Sequence, residues 1–152
     1  MNIIKFYSVS EAYGEFSNFA RYPILLAGKR WPTSEHYFQA QKFEETAYQE
    51  EIRKEKSPMQ AARMGRNRKR PLRKDWESVK VEIMRQAVLA KFTQHSNLRE
   101  LLLSTGDTRL VEHTTNDTYW GDGGDGTGKN MLGRILMEVR EQLRQGTGNR
   151  QE

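Results

Sequence analysis

The stretch Trp31-Pro32-Thr33-Ser34-Glu35-His36-Tyr37-Phe38-Gln39-Ala40-Gln41-Lys42-Phe43 decides how the chain is read. Thr33 and Ser34 are residue types that cap a helix N-terminus, and Glu35 puts a carboxylate in the first turn, where unpaired amides favour negative charge. Helix-compatible residues continue to about Lys54, so the segment predicts one long helix. On a helix, Glu35, Gln39 and Lys42 fall along one face, while Tyr37, Ala40 and Phe43 occupy another. Spacing alone leaves two readings open: an ordinary amphipathic helix whose Glu35 serves its own N-terminus, or one wall of a site.

Upstream, Ile3 to Tyr7 is rich in strand formers, and Ile24-Leu25-Leu26 returns through Ala27-Gly28-Lys29 to Arg30-Trp31 as a hairpin. Downstream, Ser57-Pro58-Met59-Gln60 joins an N-cap serine to a proline at the first helical position, with Gly65 as the stop. Asp75 reads as the cap of another helix, in which Trp76, Val79, Ile83, Ala87 and Ala90 recur every three or four residues towards His95. Asn97 starts a short helix through Leu103, and Arg109 to His113 reads as a strand. Asn130 reads as the cap of the last helix, where Leu132, Ile135, Leu136, Val139 and Leu143 make an apolar stripe. The expected fold is α+β and mainly helical, a single domain over residues 1–145 with several helices and a few short strands. Residues 146–152 read as a flexible C-terminal tail.

At 152 residues, 36% hydrophobic and 10% aromatic, the chain has the material for a packed core. No apolar run approaches the roughly 20 residues that span a bilayer, and the N-terminus has no signal-peptide core, so a cytoplasmic protein is expected, with no membrane partner. With no cysteine and only the scattered His36, His95 and His113, neither a metal nor another cofactor is expected.

The net charge of +5 favours an anionic ligand. Its basic excess concentrates at Arg63, Arg66, Arg68, Lys69, Arg70 and Arg73, which reads either as a solvated surface or as a clamp for phosphate or nucleic acid. The run from Asn116 to Asn130 combines Asp117, Asp122 and Asp125 with five glycines and Trp120. Glycines let a backbone approach a ligand closely, carboxylates position water or hydroxyls, and an indole offers a flat surface to a base or sugar. The run lacks the alternating ligands of a calcium loop, and Gly128-Lys129 leads to Asn130 rather than to the Ser or Thr of a P-loop. His36 is the one histidine within a candidate segment, either a site residue or a structural one.

Phe6-Tyr7, Phe16-Ser17-Asn18-Phe19, Trp31 to Phe43, Leu72-Arg73-Lys74-Asp75-Trp76, Leu110-Val111-Glu112, Asp117 to Gly128 and Asn130-Met131-Leu132-Gly133 stand in an order that resembles the YbiA-like N-glycosidases of the NADAR family, from Ile4 to about Leu143. The resemblance implies the fold of that family and hydrolysis of an N-glycosidic bond. It implies a small phosphoribosyl substrate, a phosphoribosylamino-pyrimidine intermediate of riboflavin biosynthesis. The alternative is removal of ADP-ribose from guanine in nucleic acid or nucleotides. A non-catalytic nucleotide- or nucleic-acid-binding module is a second alternative, supported only by charge and aromatics.

Such a bond breaks through an oxocarbenium-like transition state, which a fixed carboxylate stabilises. The resemblance therefore assigns Glu35 to the anomeric charge and Asp117 or Asp122 to water or ribose hydroxyls. Lys42 becomes either a Schiff-base nucleophile or a partner of Glu35. Trp120, with Tyr37 or Trp76, is expected to stack on the base. Arg66, Arg68, Lys69 or Arg73 would hold the phosphate, Arg66 being preferred, with His36, Gln39, Gly121 and Asn130 as further substrate contacts.

Overall fold

The computed structural model describes residues 2–149. Along the chain lie β1 (Ile3–Phe6), a short 3-10 turn (Gly14–Phe16), β2 (Ile24–Leu26), β3 (Lys29–Trp31), α1 (Ser34–Ala40), α2 (Thr46–Lys54), α3 (Pro58–Gly65), α4 (Trp76–Gln94), α5 (Ser96–Ser104), β4 (Arg109–Glu112) and α6 (Met131–Asn149). This is the expected mainly helical α+β fold. The described residues form two compact units, one of residues 21–91 and the other of residues 2–20 with 92–149.

In the unit of residues 21–91, Ala27 and Gly28 take left-handed backbone, with φ of 56° and 76°. That geometry matches strand twist and closes the β2–β3 hairpin in two residues, pairing Ile24 with Trp31. The Trp31 indole donates to the carbonyl of Leu26 at 2.9 Å, tying the end of the hairpin to its turn. Thr33 then caps α1, its hydroxyl accepting from the amide of His36 at 3.2 Å.

The single long helix expected from Pro32 to Lys54 is two. Helix α1 ends at Ala40, and the amides of Lys42 and Phe43 turn back to the carbonyls of Gln39 and Ala40. No residue from Gln41 to Glu45 forbids helix, so tertiary contacts decide the break. Phe43 leaves the helix to form an antiparallel bridge with Leu72 and to sit 4.8 Å from the Tyr48 ring, edge to face. The Gln49 side chain donates to the carbonyl that Phe43 can no longer give to a helix.

Helix α3 follows the expected signals, with Ser57 Oγ accepting from the amide of Gln60 and Pro58 in the first turn. Asp75 differs from its expected role. It precedes α4, but its carboxylate takes a bidentate contact from Arg73 at 2.6 and 3.1 Å.

In the other unit, β1 and β4 pair in parallel, Ile4 opposite Leu110, and α6 packs on β4 with the buried stripe of Leu132, Ile135, Leu136, Val139 and Leu143. Phe16 is wedged between Phe6 and Phe92, with ring centroids 5.7 and 5.8 Å away. Helix α5 starts at Ser96, one residue before the expected Asn97. Helix α6 runs on through Asn149, and residues 150–152 of the expected tail lie outside the described residues.

Asn130 precedes α6 but is more than a cap. Its side-chain oxygen accepts from the amide of Glu112 at 2.9 Å, and its side-chain nitrogen donates to the carbonyl of Leu110 at 3.0 Å. The amide therefore behaves as a further strand edge for β4. Holding it there puts Asn130 in left-handed backbone, at φ 53°, which Asn tolerates better than most residues.

Replacing Asn130 by Ala strands two buried strand groups and leaves a side chain ill suited to positive φ, and is expected to cost about 2 kcal/mol or more. Asn130→Gly relieves the backbone but not the lost hydrogen bonds, and should fall between wild type and Asn130→Ala in urea denaturation.

Candidate active site

Helix α1 is buried along its whole length, Ser34 to Ala40, including Glu35, His36 and Gln39. Polar groups so placed must find partners within the protein. His36 finds two. Its Nε2 donates to the carbonyl of Glu55 at 2.7 Å, which leaves Nδ1 to accept from the Thr33 hydroxyl at 2.8 Å. Burial pushes its pKa down, and the contact with Glu55 only partly opposes this, so the ring is held neutral. With both nitrogens used, His36 fixes the start of α1 to the end of α2 and has none left for a substrate.

Glu35 is 8% exposed. The side-chain nitrogen of Gln39, one turn later, donates to its Oε2 at 2.6 Å, which fixes the carboxylate on the helix face. Lys42 follows past the end of α1 with its ammonium 5.8 Å from the Phe38 ring centroid and 5.9 Å from that of Trp76. The two rings lie 5.1 Å apart and form an apolar wall.

Loss of water pulls the Lys42 pKa down to about 8; Arg68, Arg66 and Lys80 push in the same direction, and Glu35 opposes them. The three residues read from spacing, Glu35, Gln39 and Lys42, are thus brought together. Arg66 is exposed at the end of α3, and Arg68 donates to the carbonyl of Gly65 at 3.0 Å. Lys80 was not among the expected residues. It lies one helical turn after Trp76, and that spacing was the available signal.

The other basic residues are placed differently. Arg73 binds Asp75, while its amide donates to the carbonyl of Lys42 at 2.8 Å and so holds the backbone behind the lysine. Lys69 is exposed, and Arg70 stacks 4.6 Å from the Tyr48 ring centroid while pairing with Glu45. Trp76, 6% exposed, forms part of the Lys42 wall.

In the other unit, the acids of the 117–125 loop bind the loop itself. Asp117 Oδ1 accepts from the amides of Tyr119 and Trp120 at 2.9 and 2.8 Å. Asp122 Oδ1 accepts from the amides of Thr114 and Gly124, and its Oδ2 contacts His113 Nδ1 at 2.8 Å. Burial alone would raise the Asp122 pKa, but His113 and the two amides outweigh it and lower it. Trp120 is half-buried, edge-on to Tyr119. Gly121 is buried where a Cβ would meet Thr114 and the carbonyl of Glu112, so close packing requires its small size.

The family described as the NADAR domain matches residues 5–144. N-glycosidase YbiA of Escherichia coli (strain K12) is 67% identical over 93% of this chain and 88% of its own. A riboflavin biosynthesis protein of Vibrio vulnificus (strain YJ016) is 47% identical over 93% of this chain, though the match spans 39% of that longer protein. The NMR structure of the E. coli protein YbiA superposes with a TM-score of 0.90 at 64% identity, covering 96% of this chain and 87% of the other. Glu35 on α1 and Lys42 just past its end therefore sit in a fold shared over nearly the whole chain with a named N-glycosidase, and the chain belongs to the NADAR family as an N-glycosidase.

Proposed function

We propose that the chain hydrolyses the N-glycosidic bond of phosphoribosylamino-pyrimidine intermediates of riboflavin biosynthesis, releasing ribose 5-phosphate and the aminopyrimidine. The observation that carries this reading is the desolvated Lys42 beside the fixed carboxylate of Glu35. The riboflavin biosynthesis protein of V. vulnificus supports the substrate class. No helix of the described residues is long and apolar enough to cross a membrane.

In this mechanism the Lys42 amine is the nucleophile, because a pKa near 8 leaves a useful fraction of free amine at neutral pH. It attacks the anomeric carbon, the bond from that carbon to the pyrimidine nitrogen breaks, and the leaving nitrogen takes a proton relayed by Glu35. Lys42 is left joined to the anomeric carbon as a glycosylamine; the bond from that carbon to the ring oxygen then breaks, the remaining amine proton passes to that oxygen, and the open-chain sugar is held as an imine of Lys42. Water adds to it, and collapse of the adduct returns the amine and frees ribose 5-phosphate, so the sum is substrate plus water. Glu35 also stabilises the positive charge that develops on the sugar.

Arg66, exposed and close enough to depress the Lys42 pKa, holds the phosphate, and the wall of Phe38 and Trp76 faces the apolar side of the substrate. Asp117, Asp122, Gly121 and Asn130 act by shaping their loop, and His36 and Arg73 by holding α1 and the Lys42 backbone. Gln39 orients Glu35.

Purified protein incubated with a phosphoribosylamino-pyrimidine is expected to release ribose 5-phosphate. Glu35→Gln should lower kcat about 1,000-fold or more with the circular dichroism spectrum unchanged. No release from this substrate, with release of ADP-ribose from ADP-ribosylated guanine instead, would transfer the site to that alternative.

Borohydride added during turnover should leave the sugar on Lys42, as peptide mass spectrometry would show; a Lys42→Arg protein that still turns over at the wild-type rate would exclude the imine. The titration of Lys42, followed by NMR, should centre near pH 8. Because Glu35 favours the charged amine and Arg68 disfavours it, Glu35→Gln should move that midpoint down and Arg68→Ala should move it up.

A further inference from the structure

Gln39 is 7% exposed, and its side-chain oxygen is sealed from solvent without a hydrogen-bond partner among the described residues. An orphaned buried acceptor is costly, so some other demand fixes the amide in this orientation. That demand is Glu35. The carboxylate needs a donor, and the donor end of the amide is turned towards it at 2.6 Å, which turns the oxygen the other way. There it meets Gly65, the last residue of α3, where an added Cβ would overlap the Gln39 side-chain oxygen and carbon. No ligand can reach that oxygen.

We propose that Gly65 is a positioning residue for catalysis: its missing side chain makes the recess in α3 that receives the Gln39 oxygen, and so aims the Gln39 nitrogen at Glu35. The inference rests on the reading of Glu35 as the catalytic carboxylate and extends it to a residue on another helix that has no chemistry of its own. The atoms a Cβ would overlap, the Gln39 side-chain oxygen and amide carbon, are the far end of a flexible side chain, while Gln39 Cβ at 3.2 Å need give only a few tenths of an ångström, so the fold can absorb a methyl group at Gly65 by moving Gln39. A helical position also prefers Ala to Gly. Stability and activity are therefore predicted to part: Gly65→Ala folds as well as wild type, while Glu35 loses its fixed donor.

The test compares wild type, Gly65→Ala, Gln39→Met and the double variant, using 13C-labelled protein to follow the Glu35 carboxyl and steady-state kinetics on the phosphoribosylamino-pyrimidine. A donated hydrogen bond favours the carboxylate over the acid, so its loss should raise the Glu35 midpoint by about one pH unit, a tenfold change, in both single variants. Turnover by Gly65→Ala should fall about tenfold at unchanged melting temperature, with KM little altered. Since Gly65 acts only through Gln39, adding Gly65→Ala to Gln39→Met should change nothing further.

An unmoved Glu35 midpoint in Gly65→Ala, or a further loss in the double variant, overturns the proposal. Should Gly65→Ala fail to fold, the recess is structural and the proposal is likewise overturned for Gly65, while Gln39→Met still decides whether the amide tunes Glu35. Absence of glycosidase activity in the wild type would overturn the catalytic reading alone, because the carboxyl titration decides the positioning without turnover.

Discussion

A helix buried on every side must settle each of its polar groups inside the protein, and α1 carries Ser34, Glu35, His36 and Gln39 within seven residues. The neutral His36, receiving from Thr33 and giving to Glu55, is the contact that makes such a helix tolerable. It fixes the rotation of α1 about its axis. Once that rotation is set, Glu35 and Gln39 have one face to share, and the chain leaving α1 delivers Lys42 against Phe38 and Trp76. Without that anchor, the same polar residues would prefer to turn the helix towards water.

The break after Ala40 belongs to the same logic. A helix continued to Lys54 would carry Lys42 and Phe43 onwards along one axis. Ending it lets Phe43 sink against Tyr48 and Leu72, while the amide of Arg73 holds the carbonyl of Lys42. The lysine stem is thereby kept against two aromatic rings, partly stripped of water, amid Arg66, Arg68 and Lys80. Burial and like charge both destabilise its ammonium, and a single carboxylate opposes them. Under the proposed mechanism a nucleophilic amine and a clamp for an anion would share one cluster, because the cations placed to hold a phosphate add to burial in lowering the pKa of the amine.

Features set by local chemistry were legible in the sequence. The Ala27-Gly28 turn, the caps at Thr33 and Ser57, the proline at the start of α3 and the stripe of α6 each follow from a few adjacent residues, and each is present. The face shared by Glu35, Gln39 and Lys42 was legible because helical spacing joins them, even though Lys42 lies beyond the helix end. What distant segments decide was not legible. Nothing in Gln41 to Glu45 announces a break that Leu72 and Tyr48 impose, and nothing beside Asn130 announces that its amide completes β4. Lys80 was missed because the basic run at 63–73 drew attention to sequence neighbours, whereas its signal was its helical spacing from Trp76.

The aspartates of the 117–125 loop show what geometry adds to composition. Acids among glycines suggest carboxylates held free for chemistry, since glycine lets other groups come close. Yet a glycine-rich backbone loses more conformational entropy on folding than any other, and it also carries amides with no helix or sheet to receive them. Asp117, Asp122 and Asp125 meet that need: each accepts from backbone amides two or three residues away, and Asp122 reaches Thr114 and His113 as well. The acids and the glycines are therefore coupled. Gly123, Gly124 and Gly126 take the positive φ that L side chains resist, and the aspartates gather the amides that these turns expose. On α1 the relation is reversed: there a helix supplies the order, and the carboxylate of Glu35 takes its donor from the Gln39 side chain one turn later rather than from loop amides.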